Sequence, residues 1–321
     1  MKKAKARYNA EAYKAVPAEL LNFRALRPPL GRPEGYEVQG LLGKGKFSVV
    51  LLGLRVPSRE KVAIKAYVTS TANNVRREVA ILTLLRGGPN IQNLVELVQN
   101  PASNALCLVS DYYMFDPFEE YCAKMTPQDL RAYMLELLSA LEFMHGKGVI
   151  HRDIKPQNVL YAFKSRKMKV IDFGQAEFYL PEGQLSPRVA SRFFKAPELL
   201  MDYPFYNYAV DIWAAGVIFV SLIFGRYPFF LGTDAEDQLA KLIDWAGTEE
   251  FVKFQFAYLR VSEHKLASAK RRSFAELITP KNEALATPEA LDLAAKMLAF
   301  DFSARISAKE ALAHPFFKQS S

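Results

Sequence analysis

The chain has 321 residues, of which 50% are hydrophobic and 24% are charged, and this composition is typical of a globular protein with one or two domains. It excludes a chain that is disordered throughout, and two cysteines are too few for a disulfide-stabilised scaffold. The net charge of +8 indicates an acidic partner, without deciding between nucleic acid, an anionic membrane and acidic protein segments.

The first 35 residues form a basic extension. Its start is basic and polar with no apolar core after it, so we expect no secretory signal. Apolar anchors follow at Leu20, Leu21 and Phe23, and the proline and glycine of residues 27–33 predict a linker. Residues 1–35 either pack on the rest of the protein or form a mobile basic tail.

The next part of the chain has the pattern of a small β-rich unit. Runs rich in β-branched and apolar residues at positions 49–52, 62–65, 94–98 and 105–109 predict short strands. Helical spacing over residues 73–85 predicts one main helix between the second and third of these strands.

After residue 117 the pattern becomes mainly helical. Thr126-Pro127 is a typical helix start, and Gly146 ends that helix. Apolar residues recur at helical spacing at Leu130, Tyr133, Met134, Leu137, Leu138 and Leu141. Later helices are predicted to begin at Thr287-Pro288 and at Ser307, whose spacing to Glu310 forms a capping box.

These elements predict an α+β fold with a small β-rich lobe and a larger helical lobe, and a cleft between lobes is a usual ligand site. The most apolar stretch, residues 212–224, is shorter than the ~20 residues of a transmembrane helix, so it predicts a buried core helix. Scarce cysteine indicates a reducing compartment, and we expect a cytoplasmic or nuclear location, or both.

A glycine-containing segment, Gly43-Lys44-Gly45-Lys46-Phe47-Ser48-Val49-Val50, lies between two predicted strands. Glycines let a backbone approach phosphate groups closely, although an ordinary hairpin explains the same pattern. Lys65 closes an apolar strand, and Glu78 in the following helix is a candidate partner for its ammonium group. The alternative is a surface lysine that only lays its aliphatic stem over the strand.

The most specific pattern is His151-Arg152-Asp153-Ile154-Lys155-Pro156-Gln157-Asn158, followed by Ile171-Asp172-Phe173-Gly174. Asp153 is suited to receive the proton of an incoming hydroxyl group, and Lys155 to neutralise a phosphate. Asn158 and Asp172 offer oxygen ligands to a metal ion. A chance match to both motifs at this separation is rare.

Three further residues predict structural support. Asp211 stands at the start of the apolar helix, where the helix dipole favours a carboxylate that braces the His151-Arg152 turn. Glu198, in the sequence Ala196-Pro197-Glu198, is a candidate buried partner for Arg305.

Together these motifs resemble the eukaryotic protein kinases over residues 36–317. The resemblance implies an antiparallel β-rich N-lobe with one main helix at residues 36–113, a mainly helical C-lobe at 114–321, and ATP with Mg²⁺ between them. It implies Asp153, Lys155 and Lys65 as catalytic residues and Asn158 and Asp172 as metal ligands. The implied nucleotide-binding residues are Leu42, Gly43, Lys44, Gly45, Lys46, Phe47, Ser48, Val50, Ala63, Lys65, Glu78, Asp111, Tyr113, Leu160 and Ile171.

A narrower resemblance links the segments 85–91, 176–179 and 188–198 to the catalytic alpha subunits of casein kinase II. It implies a serine/threonine kinase for sites followed by acidic residues, active without activation-segment phosphorylation. It leaves open a regulatory beta subunit on the N-lobe. The implied substrate-binding residues are Lys46, Arg188, Arg192 and Lys195, whose cations are suited to the carboxylates of an acidic substrate.

The chain departs from that family at several positions. Residues 71–74 replace a lysine cluster, which weakens the expected preference for acidic residues, and Phe173 replaces a tryptophan. Ser110 stands at the gatekeeper position and predicts a deeper pocket behind the nucleotide. Ala63 is smaller than the family residue above adenine, so the use of GTP beside ATP is left open.

Two other functions remain as alternatives, a proline-directed kinase of the same broad group and a pseudokinase that acts as a binding scaffold. The complete set of polar motif residues disfavours the pseudokinase, and the basic segment that includes Lys195 disfavours the proline-directed kinase. We expect acidic protein substrates as partners, and neither a membrane nor direct nucleic-acid binding. We also hypothesise that residues 1–35 pack against the helical lobe and hold the activation segment open.

Overall fold

The computed structural model describes residues 1–45, 48–56, 58–259 and 268–318. The chain folds into a β-sheet N-lobe and a helical C-lobe, which confirms the predicted α+β class. The N-lobe strands are β1 (Leu30–Gly31), β2 (Tyr36–Lys44), β3 (Ser48–Arg55), β4 (Lys61–Tyr67), β5 (Leu94–Gln99) and β6 (Leu106–Asp111). They form one sheet in the order β1-β5-β6-β4-β3-β2, and the four strands predicted from apolar runs correspond to β3 to β6.

The proline-rich stretch at residues 27–33 is more than a linker. Leu30–Gly31 forms β1 and pairs in parallel with Leu97–Val98, whereas the pairs among β2 to β6 are antiparallel. A Cβ on Gly31 would overlap Glu96 Oε2, so a larger residue here would require the Glu96 carboxylate to move. The linker prediction is wrong for these two residues because they pair with β5 at the edge of the sheet.

The N-terminal extension lies along both lobes. Its short helix α1 (Ala18–Leu21) buries Leu20 and packs near α2 (Ala72–Leu84), the main helix of the N-lobe. Further back, the backbone N–H of Ala6 donates to the hydroxyl of Tyr179 at 2.7 Å. Leu21 and Phe23 also pack against the hydrophobic core. These contacts describe an ordered path for the extension.

Helix α2 positions the predicted partner of Lys65. Thr71 caps its start by accepting a hydrogen bond from the backbone N–H of Asn74. Its buried face includes Val75, Val79 and Leu82, which pack into the main core. Glu78 lies on the same side and is 1% exposed, so the helix places one carboxylate among apolar side chains.

The C-lobe is built on capped and buried helices. They are α3 (Phe118–Cys122), α4 (Pro127–Gly146), α5 (Pro197–Leu200), α6 (Ala209–Phe224), α7 (Ala235–Ala246), α8 (Thr248–Phe254), α9 (Pro288–Met297) and α10 (Ala308–Leu312). Thr126 and Asp129 form a capping box at α4, and the periodic apolar residues of that helix are buried, as predicted. The predicted caps at Thr287 and Ser307 are also confirmed. Within the described part of the chain, no helix is both long and apolar enough to cross a bilayer.

Helix α6 forms the apolar centre of the C-lobe, and 15 of its residues are buried. Beside it, Arg305 makes a two-pronged ion pair with Glu198, with nitrogen–oxygen distances of 2.7 and 3.1 Å. Both side chains are fully buried, and Arg305 also donates to the backbone oxygen of Ala209. The predicted structural pair is therefore confirmed, and its loss would strand a buried charge.

Two small strand pairs position the motif loops. Strand β7 (Val149–Ile150) pairs with β10 (Glu177–Phe178), and β8 (Val159–Ala162) pairs with β9 (Lys167–Val170). The first motif lies between β7 and β8, and the second lies between β9 and β10. Val170 also bridges to Ile91 ahead of β5, so the segment before β5 meets the second motif directly.

Candidate active site

Lys65 joins elements of both lobes in one polar group. Its Nζ lies 2.7 Å from Glu78 Oε1 and 2.7 Å from Asp172 Oδ1. Tyr67, two positions along β4 and therefore on the same face, donates its hydroxyl proton to Glu78 Oε2 at 2.8 Å. The predicted lysine–glutamate contact is present. The surface-lysine alternative is wrong because the Lys65 side chain is only 13% exposed.

The electrostatics of this group keep its members in fixed charge states. Burial by itself would lower the pKa of Lys65, but Glu78 and Asp172 together raise it above its ordinary value of 10.5. Burial by itself would raise the pKa of Asp172, but Lys65 holds that pKa below 3.8. Burial and Glu78 raise the pKa of Tyr67, so its hydroxyl remains a donor. A fixed cation of this kind is suited to an anionic ligand.

Asp153 is the centre of a second polar group. Its Oδ1 accepts hydrogen bonds from the backbone N–H and the hydroxyl of Ser191, at 3.0 and 2.9 Å. Its Oδ2 lies 2.8 Å from Lys155 Nζ and 3.1 Å from Asn158 Nδ2. Lys155 Nζ in turn lies 3.0 Å from Ser191 Oγ. Hydrogen bonds between Ser191 and the loop after β7 therefore hold the carboxylate, the cation and the hydroxyl in one orientation.

Asp211 supports the same loop from below. Its carboxylate accepts the backbone N–H groups of His151 and Arg152, each at 2.8 Å, and lies 3.0 Å from His145 Nε2. Burial would raise the pKa of Asp211, but the hydrogen bond and charge of His145 hold it below 3.8. The backbone of Arg152 is left-handed, with φ of 67°, and these bonds help to stabilise that conformation. The predicted brace is confirmed.

The strand register places the predicted nucleotide-binding residues around Lys65. Val50 pairs with both Gly43 and Lys65 on neighbouring strands, and Ala63 pairs with Ser110. Four other candidates lie where β2 ends and β3 begins: Leu42, Lys44, Gly45 and Ser48. Asp111 ends β6, and Tyr113 follows it. Leu160 lies on β8, and Ile171 directly follows β9. The predictions for Lys46 and Phe47 lie outside the described residues.

The donor set at the loop ends fits Mg²⁺. Asp172 is 46% exposed and uses Oδ1 for Lys65, and Asn158 uses its Nδ2 for Asp153, so one hard oxygen of each side chain is available. Among the described residues, no group of three or more His, Cys, Asp or Glu side chains forms a metal cluster. A Mg²⁺ ion held here would therefore draw its other ligands from water and phosphate oxygens, as that ion commonly does.

Two arginines, one buried and one partly buried, share a carboxylate of the activation segment, the stretch of residues 174–195 that follows the second motif. Glu177 Oε2 lies 3.0 Å from Arg77 Nη1 of α2 and 3.6 Å from Arg152 Nη2. Arg152 Nε also donates to the backbone oxygen of Gln175 at 2.6 Å. Arg77 donates to the backbone oxygen of Gly174. The carboxylate of Glu177 therefore ties α2, the loop after β7 and the segment after β9 together.

The predicted substrate-binding cations lie in different environments. Arg188 is exposed and makes no ion pair or side-chain hydrogen bond within the described residues. Arg192 is exposed but donates to the backbone oxygens of Gly232 and Thr233. Burial lowers the pKa of Lys195. The structure leaves Arg188 as the freest cation of the three.

The recess expected behind Ser110 is closed, so that prediction requires correction. Ser110 is only 2% exposed, whereas an open recess would leave a small side chain accessible. The amide of Gln92 lies against it, and Gln92 Nε2 donates to Ser110 Oγ at 2.9 Å. A side chain that precedes β5 therefore occupies the space that the small residue on β6 leaves.

Sequence reasoning missed four residues of this site: Tyr67, Gln92, Glu177 and Ser191. The spacing of Tyr67 from Lys65 was a usable signal, because residues i and i+2 of a strand share a face. No local signal identifies the other three, since their partners are distant in the chain. Their roles depend on how the two lobes and the activation segment meet.

A comparison with protein families matches residues 36–317 to the family described as protein kinase domain. The match covers most of the chain and includes both polar groups, their supporting aspartate and the buried Glu198–Arg305 pair.

Proposed function

Because the chain belongs to the protein kinase domain family, we propose that it is a serine/threonine kinase that phosphorylates acidic sites, similar to casein kinase II catalytic subunits. Protein kinases transfer a phosphoryl group from a nucleotide, and we propose ATP with Mg²⁺ as the donor here. The observation that carries the proposal is the group formed by Asp153, Lys155 and Ser191. It combines a proton acceptor and a cation beside the segment that would present a substrate hydroxyl.

The residues of the site divide the chemistry among them. Asp153 would accept the proton of the substrate hydroxyl, and Lys155 would neutralise charge on the phosphoryl group during transfer. Lys65, oriented by Glu78, would bind the α- and β-phosphates. Mg²⁺, held by Asp172 and Asn158 when bound with the nucleotide, supplies positive charge that offsets the phosphates. Catalysis would consist mainly of positioning and charge neutralisation.

The acidic preference is supported by the free cation of Arg188, and the structure also suggests that this preference is narrow. Arg77 is engaged with Glu177, and Arg76 donates to the backbone oxygen of Arg24. The arginines that remain near the replaced lysine cluster are therefore engaged within the protein. We propose that carboxylates close to the target residue contribute most of the discrimination.

We further propose that the kinase is active without phosphorylation of its activation segment. Arg77 and Arg152 already have a carboxylate partner in Glu177, which supplies negative charge that a phosphate provides in other kinases. The N-terminal extension contacts the same region, because the backbone N–H of Ala6 donates to the hydroxyl of Tyr179 and Lys3 Nζ lies 3.4 Å from Glu182 Oε2.

A phosphate-transfer assay tests the proposal. Radiolabelled ATP is offered with three matched peptides, in which the target serine is followed by Asp and Glu, by proline, or by alanine. We expect transfer chiefly to the acidic peptide, and loss of about 10²–10⁴-fold in rate for Asp153→Asn, which removes the proton acceptor.

Each other outcome of this assay selects one of the alternatives. A clear preference for the proline peptide would support a proline-directed kinase. Absence of transfer to every peptide, with nucleotide binding retained, would support a pseudokinase scaffold. Equal rates for the wild type and Asp153→Asn would contradict the assigned role of that carboxylate.

A further inference from the structure

We propose that Gln92 is a positioning and specificity-determining residue that closes the back of the nucleotide site and holds the main chain of Asp172. The inference rests on nucleotide binding in the proposed function and adds a residue to that site. It follows from a chain of hydrogen bonds that runs from the strand under the nucleotide to the metal-binding loop.

The position of Gln92 is fixed by its own backbone. Its N–H donates to the backbone oxygen of Val170 at 2.9 Å, and Val170 N–H donates back to Asn90 at 2.7 Å. Ile91, which lies between Asn90 and Gln92 in the chain, forms a parallel bridge with Val170. The start of the Gln92 side chain is therefore anchored beside the end of β9, immediately before Asp172.

Both ends of the Gln92 amide are used. Nε2 donates to Ser110 Oγ at 2.9 Å, and Oε1 accepts the backbone N–H of Asp172 at 3.1 Å. The Ser110 hydroxyl in turn donates to the backbone oxygen of Ala63 at 3.4 Å. An amide is the side-chain group that offers a donor and an acceptor in this geometry. An apolar side chain of equal size would fill the space and leave the N–H of Asp172 without this acceptor.

The contact to Asp172 matters because its backbone is in a left-handed conformation, with φ of 61°. That region is sparsely populated by residues other than glycine, so surrounding contacts must maintain it. Lys65 forms an ion pair with the carboxylate of Asp172, and Gln92 Oε1 accepts the backbone N–H of Asp172. The direction of the metal-binding oxygen thus depends on Gln92 as well as on Lys65.

The first experiment measures inhibitor affinity by calorimetry. Two ATP-competitive purine analogues are compared, one of which carries a bulky aromatic group directed past residue 110. We expect Gln92→Ala to gain at least about tenfold in affinity for the bulky analogue, equivalent to about 1.4 kcal/mol, because truncation opens the recess. Gln92→Met, which refills the space, should not gain. Gln99→Ala is the matched control, since the Gln99 amide donates to the backbone oxygen of Asn104 at 3.1 Å and, among the described residues, makes no bond to Ser110 or Asp172.

The second experiment measures the Mg²⁺ concentration that gives half-maximal binding of ADP and half-maximal phosphate transfer. We expect both Gln92→Ala and Gln92→Met to require several-fold more Mg²⁺, because neither retains the bond to Asp172. Gln99→Ala should match the wild type. Thermal unfolding checks each variant, and if Gln92→Ala does not fold, Gln92→Met still decides the Mg²⁺ result.

The outcomes separate this inference from the proposed function. High affinity of the wild type for the bulky analogue would overturn the closed recess. An unchanged Mg²⁺ requirement in Gln92→Met would overturn the positioning role. Normal nucleotide binding with either of these results leaves the proposed function intact, whereas a wild type that binds no nucleotide would overturn both.

Discussion

At the scale of single residues, this protein depends on charged groups that are buried with a specific partner. Glu177 and Asp211 illustrate the point. Each carboxylate joins two different parts of the chain. Glu177 contacts Arg77 of α2 and Arg152 of the loop after β7, and Asp211 contacts His145 of α4 and the backbone of that same loop. Removing one member of such a group leaves the other desolvated and unpaired, which costs more than the loss of an exposed ion pair.

Replacement of Glu177 tests its role as the internal partner of the two arginines. We expect Glu177→Gln to lower kcat and to lower the free energy of unfolding by about 1–3 kcal/mol, because the arginines lose their counter-charge. Steady-state kinetics and chemical denaturation measure both effects. Glu182→Gln is the control, since its partners Lys3 and Lys5 are exposed. Equal kinetics for the two variants would contradict this interpretation.

Asp211 gives a prediction for the pH dependence of stability. Its pKa is held below the ordinary 3.8 in the folded protein, so the unfolded chain binds the proton more readily. The stabilisation is therefore fully present above about pH 4 and is lost as the pH falls through the folded pKa. We expect Asp211→Asn to lower stability at pH 7 and to flatten the loss of stability below pH 4. Denaturation curves between about pH 2 and 7 measure this, and parallel curves for both proteins would argue against it.

At the scale of elements, the N-terminal extension contributes contacts that its composition alone did not establish. Ala6, Val16 and Leu20 are buried, and the hydroxyls of Tyr203 and Tyr208 donate to backbone oxygens of the extension. Arg24 accepts a hydrogen bond from Arg76 of α2, the helix that carries Glu78. The extension thus touches the element that orients the lysine of the active site.

Deletion of residues 1–26 tests whether this contact supports activity. We expect kcat and the melting temperature to fall, because α2 and the activation segment lose packing partners. Leu20→Ala is a milder test that should cost about 2–5 kcal/mol of stability if the site cannot collapse. Lys3→Ala is the control, since its ion pair with Glu182 is exposed and screened by solvent, so its loss should change stability little. A deletion variant with undiminished activity would reject the hypothesis that the extension holds the segment open.

At the scale of the whole molecule, we expect the net positive charge to influence which substrates bind. A net charge of +8 favours the approach of acidic segments, and the exposed Arg188 is the cation that we propose binds their carboxylates. Exposed charges are screened over about 10 Å at 0.1 M salt. The electrostatic contribution to substrate choice should therefore depend on ionic strength.

We expect kcat/KM for an acidic peptide to fall as salt rises, and kcat/KM for a neutral peptide to change much less. Steady-state assays from about 0.05 to 0.5 M salt span this range of screening. Arg188→Gln should reduce the salt dependence for the acidic peptide. A response to salt that is the same for both peptides would count against a charge-based preference.

Much of the fold was accessible from the sequence because local rules specify it. Helix caps at Thr126 and Ser307 and the apolar period of α4 follow from hydrogen bonding and burial within a few residues. The order of the polar motifs indicated the Lys65–Glu78 contact and the brace from Asp211. The expected linker and the expected deep recess were wrong, since each depended on a contact with a distant strand.

The sequence by itself determined the two-lobed α+β fold and the identities of the polar residues that meet at its centre, because periodicity and motif spacing are local properties. Only the tertiary structure decided which side chains complete that centre. Gln92, Glu177 and Ser191 find their partners across gaps of 18 to 100 residues. Such contacts are selected by how the lobes pack and which buried donors and acceptors need a partner, and no local pattern records that choice.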